Sequence, residues 1–217
     1  MTLPEDVRRH LAVLREEVDE LTADAVKAAA GRGTAVSCTK GCAACCKVLP
    51  TASLQEAVGI VEHRLAAGES MEALRARNEP GATWLRHRDA NENGWFDRPG
   101  GSCVFLADNL CSIYPVRPVT CRTYYVVSPP ELCNRTSDNE VHALEVRMIR
   151  RAAIRYGVEF AIATFGTDDL IGPLPVMIEV AMLYLLLGPR QFTRRMHESV
   201  VFRSHTHSAM FWARIHR

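Results

Sequence analysis

The chain has 217 residues, 47% hydrophobic and 24% charged, with a net charge of +1 and a pI near 7.6. That length and apolar content suffice for one core, so folding does not depend on disulfides as it does in very small secreted domains. The near-neutral balance lacks the basic excess of a nucleic-acid or membrane-surface binder, and neither partner is expected.

The chain opens MTLPEDVRRHLAVLREEVDEL, charged from the fifth residue onward and without an apolar run of signal-peptide length, so a cytoplasmic location is expected. Thr2 and Glu5 have capping-box spacing ahead of a helix predicted to about Ala30 and closed at Gly31. Its Val7, Leu11, Leu14, Val18, Leu21 and Ala25 alternate three and four apart. A coiled coil would use that seam, but barely three heptads exist, and packing on the chain's own body suits it better.

The segment SCTKGCAACCK then places Cys38, Cys42, Cys45 and Cys46 within nine positions. A second helix is signalled by Ser53 with Glu56 three residues on, by Leu54, Val58, Val61 and Leu65 on one face, and by Gly68 beyond. Met71 to Arg77 reads as a short helical piece, and NEPGATWLRHRDANENGWFDRPGG as a long turn-rich loop. Cysteine returns at Cys103, Cys111, Cys121 and Cys133. There CVFL reads as a short strand with ADN as its turn, and Pro115, Pro118, Pro129 and Pro130 break anything longer. After Ser137, with Glu140 three residues on, a helix is predicted through Val141, Leu144, Met148 and Ala152 to Gly157. The 14 residues Leu174 to Leu187, interrupted by Glu179, are too few to span a bilayer and predict a buried helix. It ends at Gly188, with another short helix from near Pro189. No internal repeat is evident in the sequence.

These elements predict a mainly α protein, a helical body with an irregular, loop-rich cysteine insert between its N- and C-terminal helices. We expect a single domain over 1–217, divided into an N-terminal helix (1–35), a cysteine-cluster region (36–136) and a C-terminal helical region (137–217).

Four uses of the eight cysteines compete. Were the first block helical, its cysteines would share one face and could be a core stripe; alanine would serve as well, and Ala43 and Ala44 sit off that face. Disulfides fit poorly in a chain of this size without a signal peptide. Scattered thiols do not explain the clustering, for no cysteine lies in the first 37 residues or the last 84. Metal binding remains: thiolates are soft ligands suited to zinc and iron–sulfur clusters, and short spacings aim pairs of sulfurs at one centre. The neighbours Cys45 and Cys46 would diverge by roughly 100° on a helix, awkward for one tetrahedral zinc. They suit a cubane or two adjacent centres, and eight thiolates saturate two four-cysteine sites.

CTKGCAACC with Glu56-Ala57 in the following helix, then CVFLADNLCSIYPVRPVTCR, closely resembles the YkgJ-like cysteine-cluster family of zinc- or iron-chelating CxxCxxCC domains. The matching positions are Cys38, Cys42, Cys45 and Cys46 in the first block. The second block matches at Cys103, Phe105, Leu106, Cys111, Ile113, Tyr114, Arg117, Pro118, Cys121 and Arg122. The resemblance covers about residues 36 to 125 and implies metal chelation, leaving metal and activity open; Cys133 would complete an eight-cysteine set.

Arg117 and Arg122, with Tyr114, are candidate cofactor-binding residues. Guanidinium groups would offset the negative charge of a thiolate-ligated cluster and raise its potential; pairing with carboxylates is the equally open alternative. Tyr124 and Tyr125 could shield a cluster or serve as core aromatics. His205, His207 and His216 form a C-terminal histidine group, either metal ligands or solvated side chains. There is no phosphate loop, nucleophile elbow or H-E-x-x-H, and Cys38, Cys42 and Cys45 match the C-x3-C-x2-C radical-enzyme triplet without the βα pattern that surrounds it. No catalytic residue is assigned. The expected function is an iron–sulfur protein, with one or two 4Fe-4S type clusters, acting on a small-molecule substrate or an electron-transfer partner, an oxidoreductase if it is an enzyme. The alternative is structural zinc organising a surface that binds a partner.

Overall fold

The computed structural model describes residues 2–87, 101–133, 141–144, 146, 149, 151–155, 157, 159 and 171–198. It is mainly helical. Helix α1 (Glu5–Gly31) is followed, after the first cysteine block, by strand β1 (Thr51–Ser53), which runs directly into α2 (Leu54–Ala66), and then by α3 (Met71–His87). The second cysteine block carries the hairpin β2 (Leu106–Ala107) and β3 (Leu110–Cys111) and the single-turn helix α4 (Val119–Arg122). Further described positions between 149 and 159 are helical, and β4 (Ile171–Pro173) runs into α5 (Leu174–Glu198).

The frame of the body is a pair of matching units. Strands β1 and β4 pair antiparallel, Thr51 against Pro173, Ala52 against Gly172 and Ser53 against Ile171, and each feeds a helix that packs on the other. The succession of buried positions is the same along residues 51–60 and 171–180. The sequence shows no repeat because only burial is shared: Leu54, Val58 and Ile60 in one unit correspond to Leu174, Ile178 and Val180 in the other. Fully burying such a side chain contributes about 1.5–3 kcal/mol, and this seam is the centre of the core.

Helix α1 packs on its own body as expected, but its N-terminus differs from the expected capping box. Pro4 occupies the cap position with no side-chain bond. The chain is instead pinned from outside: Leu3 is buried and its N–H donates to Glu62 Oε1 on α2 at 2.6 Å. The buried face runs through Val7, Leu11, Val18, Thr22 and Ala29, while Leu21 is 52% exposed. At 3.6 residues per turn, Leu21 has drifted to the edge of the stripe that a strict heptad reading gave it.

Helix α3 corrects the reading of the segment after Arg77. The chain stays helical through Asn78, Pro80 and Gly81 to His87, despite the turn signals. Leu74, Asn78, Ala82 and Leu85 are buried on one face, and Asn78 Nδ2 donates to the Pro175 carbonyl at the start of α5, 2.8 Å away. Tertiary packing and that bond outweigh the local cost of Pro80. Residues 88–100 of the expected loop lie outside the described residues.

The helix expected from Val141 starts later. Residues 141–144 are extended, with Ala143 bridging Val126, because Tyr125 and Val127 draw this stretch into backbone pairing: Leu144 N–H donates to Tyr125 and Val127 N–H to His142, both at 2.9 Å. Gly157 is helical and does not end the segment; Ser137 and Glu140 lie outside the described residues. The break at Gly188 is as expected: its φ of 76° is open to glycine at little cost. Past it, Phe192 returns to meet Tyr184 edge-on, ring centroids 5.3 Å apart.

Candidate metal centre

None of the eight cysteines is in a disulfide. The first block is not a helix, so the one-face stripe does not form. Cys38 lies in an extended stretch where Ser37 N–H donates to the Val126 carbonyl at 2.9 Å and Val126 N–H reaches Cys38 Sγ at 3.4 Å. Cys42 closes a turn onto Thr39, with Gly41 at φ 85° where a side chain would be strained. Cys45 and Cys46 sit on a 3₁₀ turn, Ala44–Lys47.

The second block is tied to the first through the backbone, since Cys103 N–H donates to the Cys46 carbonyl at 2.7 Å. The CVFL strand is shorter and later than expected: Leu106 pairs with Cys111 and Ala107 with Leu110. The turn falls on Asp108 and Asn109, both left-handed, as two-residue hairpins require. Cys121 is carried by α4, and Cys133, the most buried of the eight at 4% exposure, ends the 3₁₀ turn Pro130–Cys133, which packs on the turn of Cys45 and Cys46.

Cys45 is the hub. A hydrogen bond with Cys46, followed by burial, pushes the Cys45 thiol far up. Cys45 also lies within charge reach of Cys38, Cys111, Cys121 and Cys133. Burial pushes Cys121 up most strongly among its causes, followed by the charges of Cys103, Cys45, Cys111 and Glu56. Cys38, Cys111 and Cys133 are likewise raised, burial first. Such mutual repulsion between thiolates is what a bound cation relieves, with release of their protons.

The donor set is soft sulfur and fits zinc or iron. Among the described residues, no three Cys, His, Asp or Glu side chains are grouped closely enough to hold a metal ion; the ties between the two blocks are the Cys103 bond to Cys46 and the packing of the two 3₁₀ turns. His205, His207 and His216 lie outside the described residues.

Arg117 and Arg122 behave differently. The Arg117 guanidinium lies 3.7 Å from the centre of the Tyr114 ring and donates to the Tyr114 carbonyl at 2.9 Å, and its charge favours the thiolate forms of Cys45 and Cys111. Arg122 is 2% exposed, and its donors go to Asp19 on α1 and to the carbonyls of Pro115 and Arg117. It clamps the loop before Cys121 to the body. Asp19, 3.7 Å from Arg117 as well, was missed in the sequence, where nothing separates it from the other acids of α1. Tyr114 is exposed, and Tyr125 is held neutral chiefly by burial.

Behind α4, between Gln55, Thr120 and Gly157, lies a cavity of about 20 Å³, room for one water. Gln55 Nε2 donates to the Gly157 carbonyl at 3.0 Å, and its Oε1 has no partner among the described residues.

No curated protein and no solved structure gives a significant match to the chain. A CxxCxxCC family, described as a "putative zinc- or iron-chelating domain", matches residues 37–146, just over half of the chain. The match extends past Cys121 to include Cys133, so all eight cysteines fall inside it. By that match, which takes in all eight cysteines, the chain belongs to the CxxCxxCC family of metal-chelating domains.

Proposed function

We propose that the eight cysteines hold an iron–sulfur centre, of 4Fe-4S type with one or two clusters, and that the centre is redox-active or catalytic. The observation that carries this reading is that the second cysteine block is drawn onto the turn of Cys45 and Cys46: Cys103 N–H donates to the Cys46 carbonyl at 2.7 Å, and the turn ending at Cys133 packs against it. A tetrahedral structural zinc takes four ligands, and the two blocks together offer eight thiols. Bound there, an iron–sulfur cluster would supply electron transfer, or activation of a small ligand at an iron not capped by cysteine. Arg117 contributes a cation beside Cys45 and Cys111, which would offset the charge of a thiolate-rich centre and favour its reduced form. The cysteine region already shares the body's apolar core through Phe105 and Ile113, which argues against a purely structural staple.

Anaerobic purification followed by iron, inorganic sulfide and zinc assays and a visible spectrum tests the proposal. Brown protein with iron and acid-labile sulfide is the expected result. Colourless protein with stoichiometric zinc and no sulfide would overturn it in favour of a structural zinc whose surface binds a partner.

A further inference from the structure

Glu56 begins α2, yet its carboxylate does more than begin a helix. Its Oε2 accepts from Ser53 N–H at 2.9 Å and from Ser53 Oγ at 2.8 Å, while Glu56 N–H faces Ser53 Oγ at 3.4 Å. That reciprocal pair completes the cap and needs only one carboxylate oxygen. The other, Oε1, accepts from Val119 N–H at 2.8 Å, 63 residues away in sequence. Val119 is the first residue of α4, and Cys121 lies two residues further on. A second tie runs beside it, from Thr120 Oγ1 to the Thr51 carbonyl at 2.7 Å.

The matching unit shows that the fold itself does not ask for an acid here. From the pairing of β1 with β4, Glu56 corresponds to Val176, a buried apolar residue at the same point of α5. Glu56 is therefore a buried carboxylate, 9% exposed, where its counterpart packs a hydrophobic side chain. Burying a carboxylate is costly unless its oxygens are paired, and here the second oxygen is paired with the segment that carries a cysteine.

We propose that Glu56 is a positioning residue of the metal centre: it fastens α4 to the start of α2 and so fixes where Cys121 stands relative to Cys45, Cys103 and Cys111. The proposal rests on the reading that these thiols hold a metal, and it gives a task to the Glu-Ala pair of the family pattern. Glu56 touches no reacting atom; it acts through Val119 and α4.

Three variants separate this role from helix capping. Ser53→Ala removes the hydroxyl of the cap but leaves Glu56 Oε1 on Val119. Glu56→Ala removes both, and Glu56→Val places in α2 the residue type that α5 carries at the matching position, which keeps the variant folded if alanine does not. Each reduced, metal-free protein is alkylated and Cys121 modification followed by mass spectrometry, and each is titrated with cobalt(II), whose thiolate charge-transfer bands report bound sulfur. We expect both Glu56 variants to speed Cys121 alkylation severalfold and to weaken cobalt binding about 10–100-fold, the usual effect of losing a residue that orients a ligand. Ser53→Ala should leave both near wild type despite its own stability loss. If Ser53→Ala and Glu56→Val change Cys121 equally, or neither does, Glu56 is a capping residue only and the proposal is overturned. A wild-type protein that binds no cobalt would sink the metal reading instead, while the alkylation comparison would still decide the role of Glu56.

Discussion

Helices α2 and α5 meet through Val58, Ile60, Ile178 and Ala181, none with measurable exposure, whereas the eight cysteines lie in a region of loops and elements of two to four residues, and only Cys133 is buried. The first region is held by apolar surface removed from water. The second lends Phe105 and Ile113 to that same core and is otherwise held at points: backbone bonds from Cys103 to Cys46 and from Ser37 to Val126, the Glu56 bond to Val119, and the Arg122 clamp on Asp19. A body of the first kind folds by itself, and a region of the second kind is completed by what its thiols bind. The contrast teaches where metal-dependent stability should sit in this chain.

The largest expected effect is therefore metal removal. A structural site of this type supplies on the order of 10 kcal/mol of folding energy. Chelation under anaerobic conditions should open residues 37–50 and 101–116 to limited proteolysis, while α4, tied by Glu56 and Arg122, and the far-ultraviolet dichroism of the helical body persist. Cys121→Ser should act in the same direction, lowering metal content and protease resistance around residues 38–46 as well. A first block that keeps its metal and its protection in that variant would mean that the two blocks are independent sites. Loss of body helicity on chelation would mean that the regions are one cooperative unit.

Next come core truncations. Ile60→Ala and Ile178→Ala, one in each matching unit, should each cost about 2–5 kcal/mol, measured by denaturant or thermal unfolding. Metal per folded molecule should stay at the wild-type value, and a fall in that ratio would erase the distinction between regions.

Arg122→Met tests the clamp between them. Asp19 is half exposed and can return to water, so the expected loss of about 1–3 kcal/mol comes from leaving the Pro115 and Arg117 carbonyls without their donor. Faster alkylation of Cys121 should accompany it. A variant as stable and as protected as wild type would show that the clamp holds nothing.

Arg117→Ala should be the gentlest, since a 3.7 Å contact with Asp19 is worth at most about 1 kcal/mol and the Tyr114 stacking about 0.5–1 kcal/mol. Its mark should be electrostatic. Removing a cation beside Cys45 and Cys111 lowers the midpoint potential of a reducible centre, read by anaerobic redox titration. An unchanged potential would leave Arg117 a loop residue.

Much of this was written in the sequence because it rests on local chemistry. Periodicity gave α1, and periodicity with end signals gave α2 and the first part of α5, since Ser53 and Glu56 act within three residues and Gly188 alone can take its φ. Soft thiols in two dense blocks pointed to metal, since ligand chemistry belongs to the residue type. Only the tertiary structure decided what depends on distant partners. Helix α3 continues through Pro80 because α5 covers its face and the Pro175 carbonyl meets Asn78. Residues 141–144 are extended because Tyr125 and Val127 pair with them. The matching units β1–α2 and β4–α5 share burial and almost no sequence, so no comparison of letters finds them. Glu56 reads in sequence as half of a capping box; its bond to Val119 spans 63 residues, and a pattern three residues long has no means of recording it.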